Sequence, residues 1–176
     1  MKAFLLVLAL VTGVALVAQT AGKPDPWARL RFLEGTWEAR MTGGSAKAQG
    51  TGTYSFRLEL REHVLARHSS YGSCKGPEDF NCEHGDLLYI YPEGGGENLR
   101  AIYFDSEGHV IHYAVSVPRP GTAVLLSDPG APGPQFRLSY ESSGEVMAGK
   151  FQMRMPGQAD FTTYLEWSGG KARNRE

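Results

Sequence analysis

Short segments of alternating apolar and polar residues recur along nearly the whole chain, separated by turn-forming residues. Ten such segments span residues 36–41, 51–60, 64–71, 86–91, 99–104, 109–117, 122–127, 135–141, 148–155 and 160–167. Ten strands with short connections predict an all-β fold, an antiparallel up-and-down β-barrel of about ten strands. A β-sandwich is the alternative, because alternation does not distinguish one closed sheet from two packed ones.

One segment before the first strand has helical spacing. Asp25 is a suitable N-cap, Pro26 suits the first turn, and Gly35 is suited to end the helix. The apolar residues at helical spacing are Trp27, Leu30 and Leu33. The pattern predicts one short amphipathic helix.

The first 22 residues have the pattern of a signal peptide. Lys2 is followed by an apolar run from Ala3 to Ala18 and then by small and polar residues. The alternative, a membrane anchor, is disfavoured because the run is shorter than the roughly 20 residues of a spanning helix. The sequence therefore predicts a secreted or periplasmic protein without a membrane span after cleavage, with one domain at 23–168 and a flexible tail at 169–176.

Charge and cysteine content narrow the classes of partner. The 18 Lys and Arg nearly balance the 19 Asp and Glu, so nucleic acid is not an expected partner. Cys74 and Cys82 flank a loop-like segment, and in an exported protein such a pair is predicted to form a disulfide. A metal site that adds His84 as a third ligand is the less favoured alternative, and no metal is predicted.

Two stretches resemble the calycin superfamily. Gly35-x-Trp37 directly follows the predicted helix, and "LLYIYPEGGGENLRAIYFDSEGHVIHYAVS" (87–116) is similar to the central hairpins of uncharacterised bacterial lipocalin-like and nitrobindin-like barrels. The resemblance implies that Trp37 and the helix cap one end of the barrel. It also implies a barrel whose interior binds a small, largely apolar or amphipathic ligand.

Haem is the cofactor that needs a separate test. In nitrobindin-like barrels a histidine on a late strand holds the iron, and this chain has no histidine after His112. Met153 and Met155 alternate with Phe151, a pattern more typical of core filling than of ligation. No cofactor is therefore predicted.

A provisional register identifies polar residues of the barrel interior. If Leu60 pairs near Leu65, antiparallel pairing places Arg67 and Asp86 inside, and its extension adds two more strands. Those strands contribute Arg100, Ile102, Phe104, Val110, His112 and Ala114. The candidate ligand-binding residues are Arg67, Asp86, Arg100 and His112. They either form an internal ion-pair network or hold a carboxylate or other polar head, with Arg67 or Arg100 as the cation. A one-residue slip would instead bring His68, Tyr89, Tyr103 and Tyr113 inside.

Titratable residues also collect at one predicted rim. His84, Asp86 and His109 are candidate catalytic residues, and Asp105 lies beside them in the same register. This cluster could form an acid–base pair or a metal site, although Asp105 is also an expected turn residue. The sequence favours a ligand-binding barrel over two alternatives, a hydrolase or isomerase that uses the rim cluster and a structural envelope protein without ligand.

Overall fold

The computed structural model describes residues 25–94, 98–128 and 133–172. They form a closed barrel in which each strand pairs antiparallel with the next and the last pairs with the first. The strands are β1 Gly35–Gly43, β2 Gln49–Glu59, β3 Val64–Lys75, β4 Asp86–Glu93, β5 Asn98–Asp105, β6 Val110–Arg119, β7 Thr122–Ser127, β8 Gln135–Ser143, β9 Val146–Arg154 and β10 Thr162–Gly170. The predicted up-and-down barrel is confirmed, and ring closure excludes the sandwich. The proposed signal peptide lies outside the described residues.

The segment before β1 consists of turns and a short 3-10 helix, Arg31–Leu33, rather than the single amphipathic helix predicted between Asp25 and Gly35. Its backbone bonds span three residues, as in Leu33 N–H to the Leu30 carbonyl at 2.9 Å. Asp25 still caps the first turn by accepting a hydrogen bond from Trp27 N–H at 2.9 Å. The three apolar residues predicted for one face, Trp27, Leu30 and Leu33, are all buried.

Trp37 lies at the end of the barrel where β1 begins. Its indole N–H donates to the Leu33 carbonyl at 2.8 Å, and its side chain is 2% exposed. At the same end, the Trp27 indole donates to the Glu62 carbonyl in the turn after β2. Because strand direction alternates, the connections after β1, β3, β5 and β9 lie at the opposite end. The long loop between β3 and β4 and the residues around His84 therefore lie far from Trp37.

The β10 strand continues two residues into the predicted tail, and Lys171 still forms a bridge with Trp37. Gly169 permits this closure, because a Cβ there would lie 1.7 Å from the Glu38 carbonyl oxygen. No helix of the described residues is long and apolar enough to span a membrane.

The predicted register is correct for β3 and β4 and wrong for β5 and β6. Ile90 pairs with Ala101, which is fully buried, so Arg100 points outward. The reason is the β4–β5 connection: Glu93 pairs with Asn98, so four residues intervene and even-numbered β4 residues face odd-numbered β5 residues. The error carries into β6, where Tyr113 is buried and His112 is exposed.

Several other apolar residues predicted for the inner face do not lie on it. Phe104 and Val110 follow the shifted register and are 37% and 53% exposed. Leu60 lies in the turn after β2 with a φ of 50° and is 73% exposed. Leu58, not Leu60, pairs with Leu65. Because this displacement is an even number of residues, it leaves Arg67 on the inner face as predicted.

Candidate functional site

The barrel encloses a cavity of about 540 Å³ that extends toward the end opposite Trp37. Its apolar wall includes Ala39, Met41, Ile111, Phe136, Leu138 and Phe151. Its polar wall includes Tyr54, Arg67, Asp86, Tyr103 and Tyr113. Apolar walls with a few convergent polar groups are typical of small-molecule sites.

A buried ion pair forms the centre of the polar wall. Arg67 on β3 and Asp86 at the start of β4 face inward, and Arg67 Nη2 lies 2.6 Å from Asp86 Oδ2. Their side chains are only 6% and 12% exposed. Arg67 Nη1 also donates to the Tyr140 hydroxyl at 2.5 Å. The guanidinium is therefore held by an acid from a neighbouring strand and a phenol from β8.

Burial and the attraction between Arg67 and Asp86 together determine the charge states of this pair. Burial raises the pKa of Asp86, but Arg67 and the nearby His84 outweigh burial and hold that pKa well below its usual value. Burial lowers the pKa of Arg67, but Tyr140 and Asp86 outweigh it and raise that pKa. Both residues are charged across the physiological pH range, and together they are neutral.

Four buried polar atoms in this region lack a hydrogen-bond partner among the described residues. They are Arg67 Nε, Asp86 Oδ1, the Tyr54 hydroxyl and the Tyr113 hydroxyl. An unsatisfied buried polar group costs about 1–3 kcal/mol, so such groups are normally paired with protein, water or ligand. Because all four atoms lie on one cavity wall, a molecule bound against that wall would gain the most hydrogen bonds.

His84 lies at the mouth of the cavity and joins the ion pair to the rim. Its Nε2 is 2.9 Å from the Tyr103 hydroxyl and 3.8 Å from Asp86 Oδ2, and its Nδ1 is 3.1 Å from Glu107 Oε2. The nearby Asp86 carboxylate raises the pKa of His84, burial opposes this shift, and Glu107 adds to it.

The rim cluster predicted from the sequence is divided into two parts. His109 Nδ1 lies 2.8 Å from Asp105 Oδ2, but the His109 side chain is 64% exposed. Asp105 also accepts backbone hydrogen bonds from Glu107 and His109, the expected role of a turn aspartate. Ligand atoms of His84, Asp105 and Glu107 lie within 4.8 Å of one another, so among the described residues these three could hold a divalent cation.

Arg100 and His112 do not reach the cavity. Arg100 forms a forked ion pair with Asp128 on the outer surface, with Nη1 2.9 Å from Oδ1. His112 is exposed on the outer face of β6. Of the predicted ligand-binding residues, the structure thus brings Arg67 and Asp86 together and leaves the other two outside, because of the register change between β4 and β5.

Three residues of the site, Tyr54, Tyr140 and Glu107, were not predicted from the sequence. Alternation along β2 and β8 could have placed the two tyrosines inside. Tyr54 lies on the same face of β2 as Phe56, and Tyr140 lies on the same face of β8 as Leu138. Tyr103 and Tyr113 face inward because β5 and β6 adopt the alternative register, slipped by one residue.

Cys74 and Cys82 form the predicted disulfide, with Cα atoms 5.6 Å apart, so their thiols do not bind metal. Phe80 and Asn81 of the enclosed loop line the cavity mouth. Met153 also lines the cavity, whereas Met155 is 47% exposed. A disulfide is typical of proteins outside the cytoplasm. Comparison of the sequence with protein-family models and with curated proteins finds no match.

Proposed function

We propose that this chain is an exported, lipocalin-like barrel that binds a small, largely apolar ligand with a polar head in its interior. One observation carries the proposal: an apolar cavity of about 540 Å³ with unpartnered buried polar atoms on one wall. The volume is within the range of about 300–1,000 Å³ found for ligand sites. Apolar walls would hold the tail, and Arg67, Asp86 and the two tyrosines would receive the head.

Export is part of the same proposal. The signal-peptide pattern at residues 1–22 and the Cys74–Cys82 disulfide both support an oxidising, non-cytoplasmic location, secreted or periplasmic. The ligand would then be a molecule that reaches the outside of the cytoplasm.

An enzyme that uses the cavity mouth is the second candidate. It is favoured by the position of His84, whose ring contacts Tyr103 and lies between two carboxylates. Burial raises the pKa of Tyr103, so its hydroxyl stays protonated near neutral pH and is a weak nucleophile. A protonated phenol can hydrogen-bond a ligand as well as act as a general acid, so we prefer binding because it also accounts for the apolar cavity behind His84.

The proposal is tested with the purified chain and with Nile red, an uncharged dye that fluoresces in apolar cavities. Native mass spectrometry of the protein as purified is expected to show a bound small molecule that organic extraction removes. The extracted protein is then expected to bind one dye molecule.

A matched pair of variants assigns that binding to the cavity. Ala39→Trp fills the cavity wall and should weaken dye binding by about tenfold or more. Ala114→Trp places the same side chain on the outer face of β6 and should leave dye binding unchanged. Equal effects of the two variants, or no binding of dye or co-purified molecule, would refute the proposal.

A further inference from the structure

We infer that the polar head of the ligand is uncharged and both donates and accepts hydrogen bonds, as a hydroxyl or a primary amide does. This inference rests on the proposed function and specifies its ligand class. It replaces the expectation that Arg67 holds a carboxylate.

The cation that a carboxylate would need is already neutralised. Arg67 Nη2 lies 2.6 Å from Asp86 Oδ2, and Nη1 donates to Tyr140. A ligand carboxylate that approached the remaining Arg67 Nε would also approach the buried Asp86 charge. Two carboxylates that share a buried site repel each other, so an anionic head is disfavoured there.

The net charge of the whole cavity wall also disfavours an anionic head. Arg67 is the one Lys or Arg among the described residues that line it, whereas four acids do so: Asp79, Asp86, Asp105 and Glu107. Even with His84 and His109 both protonated, negative charges on the wall outnumber positive ones. The field of the cavity therefore opposes entry of anions.

A cationic head is disfavoured beside the buried ion pair, because there it would approach the positive charge of Arg67. An ammonium that approached Asp86 Oδ1 would lie beside the Arg67 guanidinium, and the neutral ion pair offers no net negative charge to offset its dehydration.

The unpartnered atoms match an uncharged head that has both kinds of hydrogen-bonding group. Arg67 Nε offers a donor, Asp86 Oδ1 offers an acceptor, and the Tyr54 and Tyr113 hydroxyls can do either. Burial raises the pKa of Tyr54 and of Tyr113, so both phenols keep their protons. A hydroxyl or a primary amide can donate to Asp86 and accept from Arg67 or a tyrosine, whereas an ether or a ketone can only accept.

The experiment compares four ligands that share one alkyl chain and differ only in the head. Decan-1-ol, decanamide, decanoic acid and decylamine compete with Nile red for the full mature chain at neutral pH. The alcohol and the amide are expected to displace the dye at concentrations about tenfold or more below those of the acid and the amine.

Two variants test whether the ion pair sets this ranking. Asp86→Asn leaves Arg67 uncompensated, so decanoic acid should gain about tenfold or more relative to decan-1-ol. Asp128→Asn makes the same change beside Arg100 on the outer surface and should leave the ranking unchanged. If Asp86→Asn does not fold, the ranking with the unmodified chain decides the matter alone.

The possible failures are distinguishable. Displacement by the acid or the amine at the lowest concentration would overturn the inference while leaving the proposed function in place. Dye binding that none of the four ligands reverses would do the same. A chain that binds no dye and carries no co-purified molecule would refute the proposed function, and this inference with it.

Discussion

Replacement of Arg67 by Met tests whether the buried ion pair is as closely coupled as its geometry indicates. Met keeps an unbranched apolar side chain in the barrel but removes the guanidinium that contacts Asp86 and Tyr140. The Asp86 carboxylate, only 12% exposed, then loses its counter-ion. Removal of one partner of a buried ion pair costs about 3–5 kcal/mol, so we expect the free energy of unfolding to fall by about that amount.

The chain contains a matched control for this change. Arg100 also pairs with an aspartate, but the side chains of Arg100 and Asp128 are 22% and 46% exposed. Water screens such a pair and hydrates either partner left alone, so Arg100→Met should cost about 0–1 kcal/mol. Urea unfolding followed by tryptophan fluorescence measures both changes on the same scale.

The pH dependence adds a second criterion. In the unmodified chain the pKa of Asp86 is depressed on folding, so its contribution to stability is full above the unfolded value near 3.8 and is lost as pH falls through the folded value. Without Arg67, burial would raise the folded pKa, and protonation would relieve the unpaired charge. The stability gap between the unmodified chain and Arg67→Met should therefore narrow as pH falls. Equal costs for the two arginine variants, or a gap that widens in acid, would refute the reasoning.

Two further predictions concern the mouth and the closure of the barrel. In NMR titrations, the pKa of His84 should lie above its usual value of about 6.5, because Asp86 and Glu107 stabilise the imidazolium. Glu107→Gln should therefore lower the pKa of His84. The contribution of His84 to folding stability is full below its unfolded pKa and is lost as pH rises through its folded pKa. An unchanged His84 pKa in Glu107→Gln would contradict the contact between Glu107 and His84. Gly169→Ala should lower the free energy of unfolding by about 1–3 kcal/mol, since its Cβ would lie 1.7 Å from the Glu38 carbonyl oxygen across the β1–β10 seam. Gly85→Ala, where an added Cβ meets nothing within 4 Å, should stay within about 0.5 kcal/mol in the same urea experiment, and equal losses for the two glycines would contradict the predicted crowding.

All ten strands could be located from the sequence because turn-forming residues bound each short extended segment. The pairing of Cys74 with Cys82 also followed, because they are the two cysteines of the chain and such a pair is usually oxidised in an exported protein. The segment before β1 was harder, because three apolar residues at helical spacing are compatible with either an α-helix or consecutive turns. The structure has the turns and buries the same side chains.

The faces of the strands depend on turns as well as on alternation. The β4–β5 connection has four residues, and one residue more or fewer would have placed Arg100 and His112 inside instead of Tyr103 and Tyr113. Apolar residues occur on both faces of β5, so its hydrophobic pattern alone did not select between the two registers.

The strand count, the disulfide and the shared inner face of Arg67 and Asp86 follow from the sequence alone, because they depend on alternation, turn residues and cysteine content that can be read along the chain. The polar wall of the cavity required the folded molecule. Tyr140 comes to Arg67 from 73 positions away through the curvature of the closed sheet, and His84, just before β4, contacts Tyr103 on the adjacent strand β5. The first contact depends on closure of the barrel and the second on the β4–β5 register, so neither can be read from a local pattern.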